Sequence, residues 1–382
     1  MIYYGKQFID EQDINAVIEV LKSDFLTQGP VIENFEKAVA EYCGVKYAVA
    51  VTNATSALHI ACLAAGLDKG DILWTSPITF TASANCGRYC GADVDFVDID
   101  DSTYNMSISA LKEKLEKSKI KPKVVVPVHL AGQSCEMREI YDLSKQYGFT
   151  VIEDASHAIG ADYKDTKVGC CKYSDMTVFS FHPVKIITTG EGGMVLTNSE
   201  ELYKKLTLYR SHCITRDENL MTKEADGPWY YQQIGLGFNY RMTELQAALG
   251  LSQLAKVDKF VARRRQLAER YNELLKDLPL KVPYQNTDTD SSWHLYIVRV
   301  DFNKVKKTKK QIFAEMKVKG VCLNLHYIPV HTQPYYQNLG FKHGDFPVSE
   351  KYYEEAFTLP LYYSLTDEQQ EYIVSTLKEV LK

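Results

Sequence analysis

Lys185 has the surroundings in this chain that most suggest chemistry. It lies between His182-Pro-Val184 and Ile186-Ile187, just after the β-prone run Met176–Phe181. An apolar setting disfavours the ammonium form of a lysine and leaves a nucleophilic amine. The glycines of Gly190–Gly193 allow a sharp turn just beyond it. The alternative is a structural lysine whose stem packs on apolar neighbours.

Two carboxylates end another β-prone run. Glu153 and Asp154 follow Phe149–Ile152 and precede His157. An acid at the end of a parallel strand faces the ligand crevice, where it can hold a metal, a ribose or a protonated ring nitrogen. A turn or capping aspartate is the alternative. A metal would need more ligands than His157 adds, so no metal site is expected.

The segment Thr52–Leu58 opens a predicted helix with small and hydroxyl-bearing residues, directly after the strand-like run Ala48–Val51. Exposed amides at a helix start, with the helix dipole behind them, suit a phosphate group. An ordinary N-cap is the alternative. The chain has neither G-x-x-x-x-G-K-[ST] nor G-x-G-x-x-G after a strand. This absence weakens the case for an ATPase or a dehydrogenase.

The three features together match pyridoxal 5′-phosphate (PLP) better than any of them does alone. This cofactor carries a phosphate, a ring nitrogen that has to stay protonated and an aldehyde that bonds a lysine amine. The helix start, Asp154 and Lys185 correspond to these groups in turn. Phe80, at another strand-to-helix junction, offers a ring that can stack on the cofactor.

The elements that must position these residues alternate between a period of two and a helical period. The predicted strands are Lys46–Val51, Ile72–Thr75, Val94–Asp98, Val124–Val128, Phe149–Ile152, Met176–Phe181 and Met194–Thr197. The predicted helices are Ile14–Leu21, Thr55–Ala65, Ala82–Cys90, Ile108–Leu115 and Met137–Tyr147. Such alternation predicts an α/β fold with a mostly parallel sheet and helices on both faces.

The rhythm changes in the last third of the chain. A helical run covers Thr243 to Leu275, with Arg263-Arg264-Arg265 expected on its solvent face. Strands at His294–Val300 and Leu323–His326, with helices at Lys309–Lys319 and Asp367–Leu381, then predict a smaller α+β domain. We expect a large domain over residues 1–242, and the linking helix with the small domain over residues 243–382.

Composition restricts the class of protein. The 382 residues carry 44 Lys plus Arg against 49 Asp plus Glu, a net charge of −5, and 45% are hydrophobic. This argues against a disordered chain and against dedicated nucleic-acid binding. No apolar run reaches membrane-spanning length, and no signal-peptide pattern is visible. Nine irregularly spaced cysteines without C-x-x-C indicate reduced thiols, so a cytoplasmic location is expected.

Several motifs resemble the sugar aminotransferase family often labelled DegT/DnrJ/EryC1/StrS. They are Glu153-Asp-Ala-Ser-His157, the Phe179–Gly193 stretch around the lysine, Leu236–Thr243 and Val128-His-Leu-Ala-Gly132. The resemblance covers essentially the whole chain. It implies an aspartate-aminotransferase-like fold, PLP-dependent fold type I, and a homodimer with shared active sites.

The resemblance also implies roles for individual residues. Lys185 would bond the cofactor aldehyde and move protons, Asp154 would pair with the ring nitrogen, and His157 would lie beside the ring and its hydroxyl. The remaining cofactor residues would be Phe80 on the ring face, Ala54, Thr55 and Ser180 at the phosphate, and Asn239 reaching the phosphate from the partner subunit. Many relatives have glycine where this chain has Ala54, which leaves the amide geometry there open.

A narrower resemblance points to the branch of the family that acts in pseudaminic acid biosynthesis. It rests on segments that include Tyr4–Gln7, Leu26–Pro30 and His326–His331. It implies transfer of an amino group from L-glutamate to C4 of a UDP-linked 4-keto-6-deoxy-N-acetylhexosamine. The candidate substrate residues are Tyr4, Thr27, Gly29, His326 and Tyr327, with Arg216 or Lys6 as candidates for the diphosphate.

Three alternatives stay open from the sequence. The substrate can be another nucleotide-linked 3- or 4-keto sugar. The histidines of His326–His331 can be structural. The remote alternative is a non-catalytic regulator or scaffold of the same fold. A related dehydratase branch carries histidine in place of the lysine, so Lys185 favours transamination.

Overall fold

The computed structural model describes residues 1–382, in two structural regions joined by a pair of helices. The helices are α1 (Glu11–Lys22), α2 (Pro30–Cys43), α3 (Ala54–Ala64), α4 (Ala82–Tyr89), α5 (Ile108–Lys117), α6 (Met137–Tyr147), α7 (Glu200–Arg210), α8 (Glu244–Leu254), α9 (Val257–Leu275), α10 (Lys309–Val318), α11 (Pro334–Gln337), α12 (Pro347–Glu355) and α13 (Asp367–Val380). The longer strands are β1 (Tyr47–Val51), β2 (Ile72–Thr75), β3 (Asp93–Phe96), β4 (Val124–Val126), β5 (Thr150–Asp154), β8 (Met176–Ser180), β9 (Gly193–Thr197), β14 (Tyr296–Val300) and β15 (Ala356–Leu359). Two-residue strands complete the set: β6 (Asp162–Tyr163), β7 (Thr166–Lys167), β10 (Ile214–Thr215), β11 (Gln232–Gln233), β12 (Leu280–Lys281) and β13 (Thr289–Asp290).

The large region is built on a seven-stranded sheet of order β1-β9-β8-β5-β4-β2-β3. Strand β9 pairs antiparallel with both of its neighbours, and the other neighbouring pairs are parallel. Six strands therefore point the same way. Their β-branched and aromatic runs are buried on both faces, as expected where helices cover a parallel sheet. The predicted fold class, α/β with a mostly parallel sheet, is confirmed.

The two largest apolar cores lie on the faces of this sheet. One packs α3 and α4 on it through residues such as Leu58, Ile60 and Cys86. The other packs α2, α8 and the first half of α9 through residues such as Phe35 and Val261. A third core lies between the second half of α9 and the small sheet β12-β14-β15. Helix α9 thus packs on the large region with its first half and on the small sheet with its second half. The domain boundary at 242/243 stays a prediction.

The helical run predicted from Thr243 to Leu275 is wrong in one respect. The structure has two helices, α8 and α9, which are separated at Ala255 and Lys256. Thr243 and Gln246 form a reciprocal capping box that starts α8. Apolar periodicity continues through the break because both helices face the same core, so sequence spacing alone does not reveal it.

The expectation that all three residues of Arg263-Arg264-Arg265 lie on the solvent face is wrong for Arg264. It is buried, and its guanidinium donates hydrogen bonds to the carbonyl oxygens of Trp293, His294 and Leu361. Burial lowers its pKa to about 10, so it stays charged at neutral pH. The expected solvent face of the triplet therefore holds only for its neighbours Arg263 and Arg265. Arg264 instead ties α9 to two segments of the small region.

Other differences are local. The segment Leu323–His326 is not a strand, because only Asn324 forms a single bridge with Thr358. Helices α2 and α7 were not anticipated, although α2 has Pro30 at its first position and the left-handed Gly44 at its end. Those are ordinary helix start and stop signals. None of the helices combines the length and the apolar character that a membrane span requires.

Candidate active site

A cavity of about 990 Å³ lies where the parallel strands end. The residues that line it follow β1, β2, β4, β5 and β8, with further residues from the N-terminal segment and the small region. This is the position in which open α/β sheets bind their ligands. The strand ends singled out from the sequence therefore meet at one site.

Lys185 lies in this cavity, in the turn that follows β8. Its backbone N–H donates to the carbonyl oxygen of His182 at 2.9 Å, and the next two residues, Ile186 and Ile187, are buried. The Lys185 amine forms no ion pair. Loss of solvent around it lowers its pKa to about 8, and the nearby Asp154 carboxylate acts in the opposite direction. The amine is thus free to react and is part neutral near physiological pH.

The lowered pKa of Lys185 gives the first testable prediction. Cofactor-free enzyme should bind pyridoxal phosphate covalently at a rate that rises with pH and levels off above about 9, because only the neutral amine attacks an aldehyde. Stopped-flow absorbance over pH 6 to 10 measures this rate, with half the maximum expected near pH 8. A midpoint at or above pH 10, as in an exposed lysine, would contradict it.

Asp154 is buried at the end of β5 and is held by two donors. Its Oδ1 accepts from the Ser156 N–H at 3.1 Å, and its Oδ2 accepts from the Ser83 hydroxyl at 2.6 Å. Ser83 is itself 2.7 Å from the Thr79 hydroxyl. A carboxylate only accepts, so the chain runs from Thr79 through Ser83 to Asp154. These two hydrogen bonds fix the orientation of the carboxylate at the cavity.

His157 is buried against the same cavity. Its Nδ1 accepts from the Ala131 N–H at 3.3 Å, and its Nε2 lies 3.0 Å from the Tyr327 hydroxyl. Its ring centroid is 4.5 Å from that of His294. Burial, with a smaller contribution from the Lys185 charge, holds the pKa of His157 well below its usual range. The imidazole is therefore neutral.

The start of α3 forms a phosphate-sized cup beside the lysine. Asn53 caps the helix by accepting from the Ser56 N–H at 2.8 Å. The amides of Ala54 and Thr55 lack an intrahelical partner and lie at the cavity wall, as does Ser180. Ala54 is the first helical residue and does not need a positive φ. The sequence departure at this position therefore leaves the helix start intact.

Gly193 allows strand β9 to approach the cup. A Cβ at this position would lie 2.5 Å from the Asn53 carbonyl carbon and 2.6 Å from the Ala54 nitrogen. Both are backbone atoms and cannot move aside. Only glycine is compatible with this packing.

We expect Gly193→Ala to weaken PLP binding by roughly tenfold to a hundredfold. This corresponds to an overpacking strain of about 1–3 kcal/mol that displaces the cup. Equilibrium dialysis or absorbance titration gives the affinity. Gly148→Ala is the control, because it has a left-handed backbone with free space around it and tests general destabilisation alone. Equal affinities in the two variants would contradict the role of Gly193.

Another wall of the cavity is aromatic and neutral. Phe80 is 59% exposed, with its ring centroid 6.2 Å from that of Tyr327. Tyr4 lies 5.1 Å from the His326 ring. His326 Nδ1 is 2.8 Å from the Thr358 hydroxyl, and burial lowers its pKa to about 3, so it carries no charge. These four predicted site residues line one surface with His157.

Three predicted site residues do not line the cavity. Gly29 donates its N–H to Glu244 at 2.9 Å, and Thr27 bridges Thr243 at the start of α8. Asn239 is exposed and bridges Ser211. The candidates for the diphosphate, Arg216 and Lys6, are also absent from the lining. The predicted roles of these residues remain predictions.

Some residues that build the site were not predicted from the sequence. Ser83 is part of α4, and nothing in its local sequence indicates a bond to Asp154, 71 residues away. His294 and Asn324 line the wall from the small region. Asn53 could have been predicted as a helix N-cap, because it is a small polar residue directly before the helical run.

The residues present fit PLP. Lys185 offers an unpaired amine for the aldehyde, and Asp154 offers an anchored carboxylate for the ring nitrogen. The cup of Ala54, Thr55 and Ser180 offers amides and a hydroxyl for the phosphate. The neutral His157 adds no positive charge beside the ring.

Comparison with known proteins agrees with this fit. The DegT/DnrJ/EryC1/StrS aminotransferase family model matches residues 7–378. The UDP-4-amino-4,6-dideoxy-N-acetyl-beta-L-altrosamine transaminase of Campylobacter jejuni is 35% identical over 385 residues, which cover 100% of this chain and 98% of that protein. The GDP-perosamine synthase of Caulobacter vibrioides is 34% identical, with coverage of 98% and 96%.

A solved structure shows the same similarity in three dimensions. Helicobacter pylori PseC, an aminotransferase involved in the biosynthesis of pseudoaminic acid, superposes with a TM-score of 0.91 at 32% identity, over 100% of this chain and 99% of that chain. Other matching structures are in PLP and PMP forms. The predicted family and cofactor are confirmed. The chain belongs to the DegT/DnrJ/EryC1/StrS family and is a PLP-dependent sugar aminotransferase.

Proposed function

We propose that the enzyme transfers an amino group from L-glutamate to C4 of UDP-2-acetamido-2,6-dideoxy-β-L-arabino-hex-4-ulose, in pseudaminic acid biosynthesis. The observation that carries the proposal is the end-to-end similarity to the C. jejuni transaminase, together with the fold shared with PseC. The cavity supports it with an open aromatic wall from Tyr4, Phe80 and Tyr327, which suits a sugar and a base.

The residues perform the transfer as a set. The cofactor, when bound, supplies an aldehyde carbon that bonds amines and a ring that accepts electron density. Lys185 would hold the cofactor at that carbon, and its amine in the free, neutral form would accept the proton of the donor α-carbon. A pKa of about 8 leaves roughly a tenth of this amine neutral at pH 7. The Asp154 carboxylate would pair with the ring nitrogen and so hold a proton there.

A second candidate substrate is another nucleotide-linked 3- or 4-keto sugar. The GDP-perosamine synthase of C. vibrioides is 34% identical to this chain, and the UDP-sugar transaminase of C. jejuni is 35% identical to it. Sequence identity therefore favours neither nucleotide. A non-catalytic scaffold is disfavoured, because Lys185, Asp154 and the phosphate cup all lie at one cavity.

Incubation with a substrate panel tests the proposal. The enzyme, L-glutamate and UDP-4-keto-6-deoxy-N-acetylhexosamines of L-arabino and D-xylo form are mixed, with a GDP-4-keto-6-deoxyhexose as the third arm. Mass spectrometry should show an aminated product from the L-arabino isomer at the highest kcat/KM. Exclusive use of the D-xylo isomer or of the GDP sugar would overturn the pseudaminic assignment and leave the aminotransferase intact.

We further propose that two subunits share each active site. Lys185 is the only lysine that lines the cavity, and no arginine lines it, so one chain leaves an anionic sugar nucleotide without further cationic partners. Residues 214–238, which precede Asn239, expose apolar side chains that a second copy would cover. The most exposed of these are Trp229 at 70% and Leu236 at 78%.

Subunit mixing tests the sharing directly. Lys185→Ala and Asn239→Ala homodimers are each expected to have low activity. If Asn239 serves the partner's cofactor, a mixed dimer contains one site with both residues intact, and mixing after mild dissociation restores activity. Size-exclusion chromatography with light scattering confirms the dimer. Failure of a verified mixed dimer to regain activity would show that Asn239 does not act across the interface.

A further inference from the structure

A backbone amide fixes the proton position on His157. Ala131 has a left-handed conformation, with φ 61° and ψ 1°, and its N–H donates to His157 Nδ1 at 3.3 Å. The adjacent Gly132, at φ 101°, is equally constrained, because a Cβ there would lie 2.5 Å from the Ser292 hydroxyl. That hydroxyl donates to the His157 carbonyl oxygen at 2.9 Å. The turn and the histidine are therefore locked together.

The direction of the next hydrogen bond follows. An amide N–H can only donate, so His157 Nδ1 is the unprotonated nitrogen. The imidazole is neutral, and its proton is on Nε2. Nε2 lies 3.0 Å from the Tyr327 hydroxyl oxygen, which consequently accepts. Each hydrogen bond therefore has a fixed direction: Ala131 donates to His157, and His157 donates to Tyr327. The other neutral tautomer of His157 is excluded.

The Tyr327 hydroxyl still has its own proton to donate, and the protein offers no acceptor for that proton. Its only hydrogen-bond partner in the chain is His157 Nε2, which is already the donor. Tyr327 lines the cavity together with Asp154, Phe80 and Lys185. Burial, with a smaller contribution from the Asp154 charge, raises the pKa of the Tyr327 hydroxyl, so it keeps its proton.

We propose that Tyr327 is a dedicated hydrogen-bond donor to an oxygen acceptor bound in the cavity, and that His157 is the residue that positions it. The inference rests on the proposed function for the identity of the ligands. Two ligand oxygens have the required chemistry: the phenolic oxygen of the cofactor ring and the carbonyl oxygen at C4 of the keto sugar. An amino group in its ammonium form cannot accept, so the aminated product gains nothing from this donor.

The first test concerns the protein alone. Cofactor-free enzyme with ¹⁵N-labelled histidine is examined by NMR, and His157→Gln identifies the resonances of His157. The expected pattern is a neutral ring protonated at Nε2 and unprotonated at Nδ1, unchanged over about pH 6 to 8. A proton on Nδ1, or a charged ring, would overturn the proposal. This result does not depend on which sugar is the substrate.

The second test removes the donor and identifies its acceptor. Tyr327→Phe keeps the ring that packs near Phe80 and His157, and Tyr284→Phe is the control, since Tyr284 is exposed and outside the cavity. If the cofactor oxygen is the acceptor, the pH midpoint of the visible absorbance rises by about one unit in Tyr327→Phe. That shift is the size expected of one hydrogen bond to a charged oxygen.

If the sugar carbonyl is the acceptor, the absorbance midpoint stays constant. The half-reaction with the keto sugar then slows about tenfold or more, while the half-reaction with glutamate does not change. An unchanged midpoint with both half-reactions at the rate of Tyr284→Phe would overturn the proposal. If the wild-type enzyme aminates no keto sugar, the proposed function fails, and the NMR and absorbance results still decide the donor chain.

Discussion

Lys185→Ala is expected to abolish turnover, to less than about one-thousandth of the wild-type rate, because no other cavity residue offers an amine. Borohydride reduction should then attach no cofactor to the protein, whereas the wild-type enzyme is labelled at one lysine. Steady-state assay with L-glutamate and mass spectrometry of the reduced protein measure the two effects. The fold should persist, because the amine has no ion-pair partner.

Lys309→Ala provides a matched control for this variant. Desolvation also lowers the pKa of Lys309 to about 8, yet Lys309 lies outside the cavity and donates to the Tyr353 carbonyl oxygen. It should keep both activity and covalent labelling. The comparison separates position in the cavity from amine reactivity. Persistent labelling of Lys185→Ala would exclude Lys185 as the attachment site.

Asp154→Asn is expected to lower kcat by roughly 10²- to 10⁴-fold with the fold intact. An asparagine amide cannot hold the ring nitrogen protonated by charge, and loss of one partner of a buried pair costs about 3–5 kcal/mol. Stopped-flow measurement of the glutamate half-reaction reports the loss directly. The Ser83 hydroxyl, which donates to the carboxylate in the wild-type enzyme, can still donate to the amide oxygen of the substituted side chain. The Ser156 N–H then faces the amide nitrogen and loses its acceptor, which is a local loss of one hydrogen bond.

Asp175→Asn is the control, because it removes the charge of a carboxylate that contacts β5 outside the cavity. Asp175 Oδ2 accepts from the Val151 N–H at 2.8 Å, next to the same strand but away from the cavity. Its half-reaction should run near the wild-type rate. Near-normal activity of Asp154→Asn would remove Asp154 from the ring-nitrogen role. Thermal unfolding of both variants shows whether stability contributes.

The part of the site that follows strand ends was predictable from sequence. Asp154 and Lys185 each follow a short β-prone run, and the helix after β1 starts with a recognisable cap. Parallel strands bring their carboxyl ends to one edge, so residues distant in sequence meet without any further information. Local patterns together with one topological rule are enough for this core of the site.

The rest depends on tertiary contacts that leave no local pattern. Ser83 donates to Asp154 only because the start of α4 lies at the same sheet edge as the end of β5. Arg264 is buried only because carbonyl oxygens of the small region surround it. A charged triplet on a helix normally indicates a solvent face, and here three-dimensional packing overrides that rule. The break between α8 and α9 is hidden for the same reason, since one core covers both.

The substrate side was the least predictable. Tyr4, His326 and Tyr327 come from opposite ends of the chain, and the bridge between Ile2 and Val321 brings these segments together. Thr27 and Gly29 were placed at the site by resemblance alone, and in one chain they contact α8 instead. Their role at the site therefore stays a prediction.

The antiparallel strand β9 has a consequence for how the predicted cofactor residues are held apart. It lies between β1, which leads to the phosphate cup, and β8, which leads to the lysine. The ends of β1 and β8 are therefore two strand separations apart, each about 4.8 Å, and the sheet itself sets this spacing. The small region contributes other wall residues, such as His326 and Tyr327, which are not part of this sheet. The residues predicted to hold the cofactor thus begin from one rigid sheet, whereas those predicted to contact the sugar come partly from a separate layer of the molecule.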